Sequence, residues 1–127
     1  MMFDDLMEYN MSQNEVKISL IQMKMVKDVS SNLKKAVSMI HEAANGGAEI
    51  VCLPELFSTQ YFPQYDLSDN ALRCNIPHDA VPGEICSVLS SAALDNNIIL
   101  IGGSLFEKCN DHFFNTSVTF NSDGKLL

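Results

Sequence analysis

Two β-rich apolar runs, VKISLIQM at 16–23 and AEIVCL at 48–53, bracket a stretch whose apolar residues recur at Leu33, Ala36, Val37, Ile40 and Ala44. That i, i+3, i+4 spacing lays one apolar stripe along a helix, so it predicts a helix with a single buried face. Ser30 or Ser31 is placed to cap its first turn with a hydroxyl oxygen. Gly46–Gly47 is placed to end it, because glycine tolerates the left-handed conformation in which helices close. Strand, helix and strand in that order form one βαβ crossover, which makes two parallel neighbours and an α/β fold class. The second run is continuously apolar apart from Glu49, the pattern expected of a strand covered on both faces.

Beyond that unit the period weakens and then returns. Residues 57–81 hold no sustained periodicity, and a loop of that length inside a domain is either functional or a sign of misassigned elements. Its aromatics Phe57, Tyr61, Phe62 and Tyr65 suggest ordered packing rather than a linker. Pro82–Gly83–Glu84 opens a second helix with Ile85, Val88, Leu89, Ala92 and Ala93 on one face, stopped at Asn96–Asn97. IILIGG (98–103) reads as another short buried strand. In the following FFNTSVTFNSDGKLL, residues Phe114, Thr116, Val118 and Phe120 alternate, and Ser122–Asp123–Gly124 signals a hairpin turn. Its second strand has barely begun at Leu127, so the expectation is a truncated chain. Residues 1–14 lack a clean period and are expected to form a flexible extension, and Met11 competes with Met1 as the start.

Charge narrows the partners. Eight basic residues against sixteen acidic give a net charge of −8 over 127 residues, and no basic cluster exceeds Lys34–Lys35. Binding to a phosphate backbone has little electrostatic footing, so no nucleic-acid partner is expected. No apolar run approaches the ~20 residues that span a bilayer, so no membrane partner is expected either. The first residues carry acids and no base, unlike a secretory leader. With four scattered cysteines and no CxxC pair, the expected setting is a reducing cytoplasm.

The candidate chemistry centres on Glu55, which follows the second strand directly after Pro54. Ligands of α/β sheets bind outside the carboxyl ends of the strands, so an acid there is a candidate general base, helped if partly buried. A solvated or helix-capping glutamate is the plain alternative. Cys52 lies three residues earlier, and the two-residue strand period turns it to the opposite side, as core filler. Cys74 with His78 and Cys109 with His112 have metal-like spacings without a second ligand pair, so no metal is expected. His41 reads as a surface histidine. Gly102–Gly103 is no dinucleotide fingerprint, and a bulge or a close backbone approach is its simpler role.

Taken in order, VKISLIQM, NLKKA (32–36), EAANGGAEIVCLPELF (42–57), Tyr61–Phe62, VPGE (81–84), NNIILIGGSLFEK (96–108) and FNTSVTFNSDGKLL (114–127) resemble the N-terminal half of the nitrilase superfamily of carbon–nitrogen hydrolases. The resemblance spans residues 16–127. It implies a four-layer α-β-β-α sandwich, of which 15–127 would be an incomplete N-terminal portion. It further implies a Glu-Lys-Cys set in which Glu55 is the general base and a thiolate attacks an amide, nitrile or carbamoyl carbon to form a thioester that water hydrolyses. The family's lysine follows the hairpin turn and its cysteine lies further on. Both fall beyond Leu127, and Lys125 is not in the lysine's context. The 127 residues are therefore expected to be inactive and unstable alone.

The resemblance also implies a small-molecule amide or carbamoyl substrate, water as co-substrate, no cofactor, and a homo-oligomer at full length. The loop at 61–65 resembles N-carbamoylputrescine amidases, while VPGE and IGGSLFEK resemble ω-amidases of small α-keto amides. Tyr61 and Phe62 would flank the pocket mouth, with packing in the loop's own core as the equal alternative, and Asn115 would bond local backbone near the site. The competing expectation is a non-catalytic fragment or degenerate homologue serving as a binding or assembly partner. A flavodoxin-like domain fits less well, because MKMVKDVSSN lacks the glycines of a phosphate loop.

Overall fold

A computed structural model describes residues 15–127, so the expected extension at 1–14 lies outside the described residues. Strand β1 (Ile18–Leu20), helix α1 (Val29–Asn45) and strand β2 (Ile50–Cys52) form the βαβ unit that the apolar periodicity predicts. A 3₁₀ turn (Phe62–Gln64) and the short helix α2 (Asn70–Cys74) break up the long aperiodic segment. Helix α3 (Glu84–Asn96), strand β3 (Ile99–Cys109) and strand β4 (His112–Phe120) complete the order. The sheet runs β1-β2-β3-β4, parallel through β3 and antiparallel at β4.

This strand order decides which face is covered. Both crossovers step in the same direction along the sheet, and right-handed crossovers that never reverse put their helices on one face. Helices α1 and α3 accordingly pack on each other and on that face. The core there holds Ala36, Ile40, Val51, Leu89, Leu100 and Phe120. Expected cover on both faces of β2 is therefore not found among the described residues. Val51 is buried, while Ile50 and Cys52 on the other side are only half-buried. The register places Ile18, Ile50 and Ile99 in one row and Leu20, Cys52 and Ile101 in the next. Leu20 is 75% exposed, Ile18 57% and Ile99 40%. Cys52 lies on this bare face rather than in the helix-side core.

Several boundaries differ from the sequence expectation, each for a local reason. The cap of α1 is Asp28, whose carboxylate accepts from the Ser31 N–H at 2.7 Å, so neither Ser30 nor Ser31 serves. The turn at its far end is taken by Gly47 at φ +90°, one residue after the cap. Strands β1 and β2 are shorter than the apolar runs, although single backbone bonds such as Ile21 N–H to Cys52 O continue the ladder. Strand β3 is longer than IILIGG, because a bulge between Ile101 and Ser104 carries it through the double glycine to Cys109. A hairpin turn at Asn110, with φ +54°, then leads into β4. Of the alternating residues in β4, Val118 and Phe120 are buried, and Phe114 projects into solvent. The turn read at 122–124 is present: Gly124 has φ +74° and Phe120 bridges Leu126.

A second, smaller cluster forms where the 53–81 segment folds over the β3–β4 hairpin. Leu56, Phe62 and Phe106 are buried together, with Leu67, Ile76 and Phe113 against them. Phe62 and Phe106 have ring centroids 4.6 Å apart, and Phe106 stacks on Phe113 at 5.1 Å. This anchors the loop that carries the site.

Candidate active site

Glu55 stands on a tight turn that begins where β2 ends. Pro54 cannot extend the ladder, since it has no N–H, and the residue after Glu55, Leu56, adopts φ +51°. A left-handed leucine costs roughly 1–2 kcal/mol, so surrounding contacts must hold it. They do so from three sides. The Leu56 N–H donates to Ser104 Oγ at 3.0 Å, and the Thr59 N–H donates to Leu56 O at 3.1 Å. The buried Asn32 side chain donates to Ser58 O at 2.9 Å while pairing with both the N–H and the C=O of Val26 at 2.8 Å. Leu56, Phe57, Ser58 and Thr59 are all buried.

The β3 bulge belongs to the same construction. Gly103 has φ +62°, and a Cβ there would lie 2.9 Å from Leu53 O and closer still to the Pro54 carbonyl oxygen. Only glycine permits this approach of backbone to backbone. The bulge inserts one extra residue, which brings Ser104 opposite Ser117 and lets its hydroxyl meet the Leu56 N–H. The double glycine thus has both simple roles proposed for it, a bulge and a close approach.

Glu55 itself is exposed, so the partial burial expected to favour a general base is not supplied by the described residues. Its carboxylate is held instead. Asn115 Nδ2 donates to Glu55 Oε1 at 2.7 Å across sixty residues of sequence. Asn115 therefore does not bond local backbone, as the sequence suggested; it bonds the candidate base. A carboxylate only accepts, which fixes which end of the amide faces it. Sequence reasoning missed this partner and Ser104. The available signal was an asparagine inside a strand, where its propensity is low.

The other sequence candidates make no hydrogen bond to the Glu55 carboxylate among the described residues. Phe62 packs in the second cluster and also lines a cleft of about 580 Å³ with Lys27, Tyr65, Leu67, Leu72 and Ile76. Tyr61 is exposed and does not line it. Cys86 is buried in the helix-side core, Cys74 and Cys109 are exposed, and the Cys52 thiol points to Leu53 O at 3.5 Å. None of the four is hydrogen-bonded to Glu55. Among the described residues no three of His, Cys, Asp and Glu converge as metal ligands. His41 sits at the surface with Nδ1 2.9 Å from Asn96 Oδ1.

What this site can do chemically is accept and return a proton at the carboxylate oxygen that has no partner among the described residues. The sequence profile of the carbon–nitrogen hydrolases matches residues 17–127. An omega-amidase of Xenopus laevis, NIT2-B, is 40% identical over 115 residues, covering 87% of this chain and 37% of that protein. The omega-amidase NIT2 of Homo sapiens is 37% identical over the same length, with the same coverage. The chain thus spans a little over a third of the length of these curated relatives. Among solved structures, Nit3 of Saccharomyces cerevisiae, a nitrilase-superfamily member, superposes with a TM-score of 0.69 at 30% identity, covering 87% of this chain and 41% of that one. An amidase from Nesterenkonia sp. shares the fold at 22% identity and a TM-score of 0.70, covering 88% of this chain and 40% of that one. In a mutant of the amidase from Nesterenkonia sp. AN1, acrylamide has undergone Michael addition at the active-site cysteine.

Proposed function

This chain belongs to the carbon–nitrogen hydrolase family, and from that premise we propose that Glu55 is the general base of an amidase whose nucleophile is a cysteine outside the described site. The observation that carries the reading is the turn at 55–59: a strained backbone held by Ser104, Thr59 and Asn32 presents a carboxylate with one oxygen unbonded among the described residues, at the end of a parallel strand. In the proposed reaction Glu55 takes the proton of the thiol, and the thiolate attacks the amide carbon. The C–N bond breaks as Glu55 returns the proton to the leaving nitrogen, releasing ammonia or an amine. Water then attacks the thioester and gives Glu55 a proton. The acid departs, and the sulfur recovers that proton. Splitting the hydrolysis in two avoids expelling an amine directly against water. A cation near the tetrahedral oxyanion is needed, and a lysine outside these residues would supply it.

The preferred substrate class is the terminal amide of a small α-keto acid, because the curated relatives at 36–40% identity are omega-amidases. An N-carbamoyl amine is the runner-up, resting on the aromatic segment at 61–65. Residues 1–127 alone are proposed to hydrolyse neither, since none of the four cysteines reaches the Glu55 carboxylate. The test is turnover of α-ketoglutaramate and of N-carbamoylputrescine by the full-length protein and by residues 1–127. Turnover of neither substrate at full length, or cysteine-dependent turnover by residues 1–127, would overturn the reading.

One observation favours a second reading. The apolar sheet face of Ile18, Leu20 and Ile99 has no cover among the described residues, which would suit a non-catalytic chain that docks onto another subunit. Full-length turnover lost with Glu55→Gln would exclude it.

A further inference from the structure

The hydrogen bonds at the 55–59 turn hold its backbone, and among the described residues one contact holds the carboxylate. We propose that Asn115 is a positioning residue for the hydrolase: its amide holds Glu55 Oε1 and leaves Oε2 as the oxygen that receives the proton. The inference rests on the reading of Glu55 as the base.

Three features carry it. An exposed glutamate samples several rotamers, and ordering such a side chain costs up to about 1.5–2 kcal/mol, so an unsupported carboxylate at Glu55 would rarely point one way. Asn115 can supply the support because its own backbone is locked in the β3–β4 ladder opposite Phe106, a buried ring stacked on Phe113. The Asn115 side chain is short, so little freedom passes from it to its partner. The bond is also short, 2.7 Å, as expected where the acceptor carries charge. Among the described residues no other side chain bonds the Glu55 carboxylate. The hairpin therefore grips the base at two points, Ser104 on the backbone of the turn and Asn115 on the carboxylate.

A general base must lie within hydrogen-bond reach of the proton it takes, and a misplacement near 1 Å can cost about a hundredfold. The test compares Asn115→Ala and Asn115→Asp in the full-length protein, each alone and combined with Glu55→Gln. Asn115→Asp fills the same volume but turns the donor into an acceptor. Expected is a loss of roughly 10- to 100-fold in kcat, with KM within about twofold, in both variants. In the Glu55→Gln background neither change should lower the residual rate further. The inference is overturned by an unchanged kcat, or by the same fold-loss with and without the Glu55 carboxylate.

If Glu55→Gln leaves turnover intact, the base assignment itself fails and the positioning role with it. If Glu55→Gln lowers kcat while the Asn115 variants leave it unchanged, only the inference fails. Should Asn115→Ala lower the melting temperature, the comparison rests on the isosteric Asn115→Asp. An independent readout is the Asn115 side-chain amide signal in ¹H–¹⁵N spectra, expected to move on Glu55→Gln. An unmoved signal would refute the contact.

Discussion

Gly103→Ala should damage this protein more than any other glycine-to-alanine change at a positive φ, and the local geometry sets the size. Two costs combine. Alanine at φ +62° costs about 1–2 kcal/mol of left-handed strain. Its Cβ would also sit 2.9 Å from Leu53 O and nearer to Pro54 O, both backbone atoms that cannot swing aside as a side-chain tip would. Relieving such an overlap moves the strand tip or opens the bulge, at about 1–3 kcal/mol. The sum is about 2–5 kcal/mol, a large share of the roughly 5–15 kcal/mol typical of a domain. Gly47→Ala is the internal control. Gly47 has φ +90°, but its nearest neighbour would be Lys17 Cδ at 3.7 Å, so only the strain applies. Urea unfolding of the full-length protein, with both variants beside the parent, measures the difference. Equal losses for the two variants would refute the close approach as a cause. The surviving Gly103→Ala protein should also lose activity, because the atoms it pushes carry Glu55.

Three further outcomes follow from the same contacts. Asn32→Ala removes one buried and two part-buried hydrogen bonds and orphans backbone groups of Val26 and Ser58, so urea unfolding should show a loss of about 2–4 kcal/mol. Asp28 is held below the usual aspartate range by its bonds to Ser31, so the capped helix is stabilised above that range and loses the contribution as pH falls through it. Asp28→Asn keeps a capping oxygen without the charge, so its advantage over the parent should appear only below about pH 4 in thermal melts. Leu20→Lys should cost the full-length protein at least about 2 kcal/mol if a second layer covers the bare face, and an unchanged melting temperature would show that the face stays in water.

The parts of the fold legible in the sequence are those written in local periodicity. Leu33, Ala36 and Ile40 announce α1, Ile85, Leu89 and Ala92 announce α3, and the apolar runs locate β1 and β2. Hydrophobic period reports which side of an element is buried, not how far its ladder extends, which is why the apolar run at 98–103 understates β3. The bulge that lengthens it depends on Pro54 arriving beside Gly103, a meeting of distant segments. The site divides in the same way. Glu55 is visible because a carboxylate directly after a strand and a proline is a local pattern. Asn115 and Ser104 are not, because their roles arise only when β4 and β3 lie beside the turn. Burial fails as a guide for Glu55 and Cys52 for a related reason: the described residues leave both without the cover that the strand pattern implies.

The central claim is that the Glu55 carboxylate takes the proton of the attacking thiol. Single-turnover acylation of the full-length protein, followed by mass spectrometry in the parent and in Glu55→Gln, tests that step directly. A thioester adduct is expected in the parent and none in Glu55→Gln over the same interval, with both proteins folded. An adduct forming at the parent's rate in Glu55→Gln would contradict the assignment.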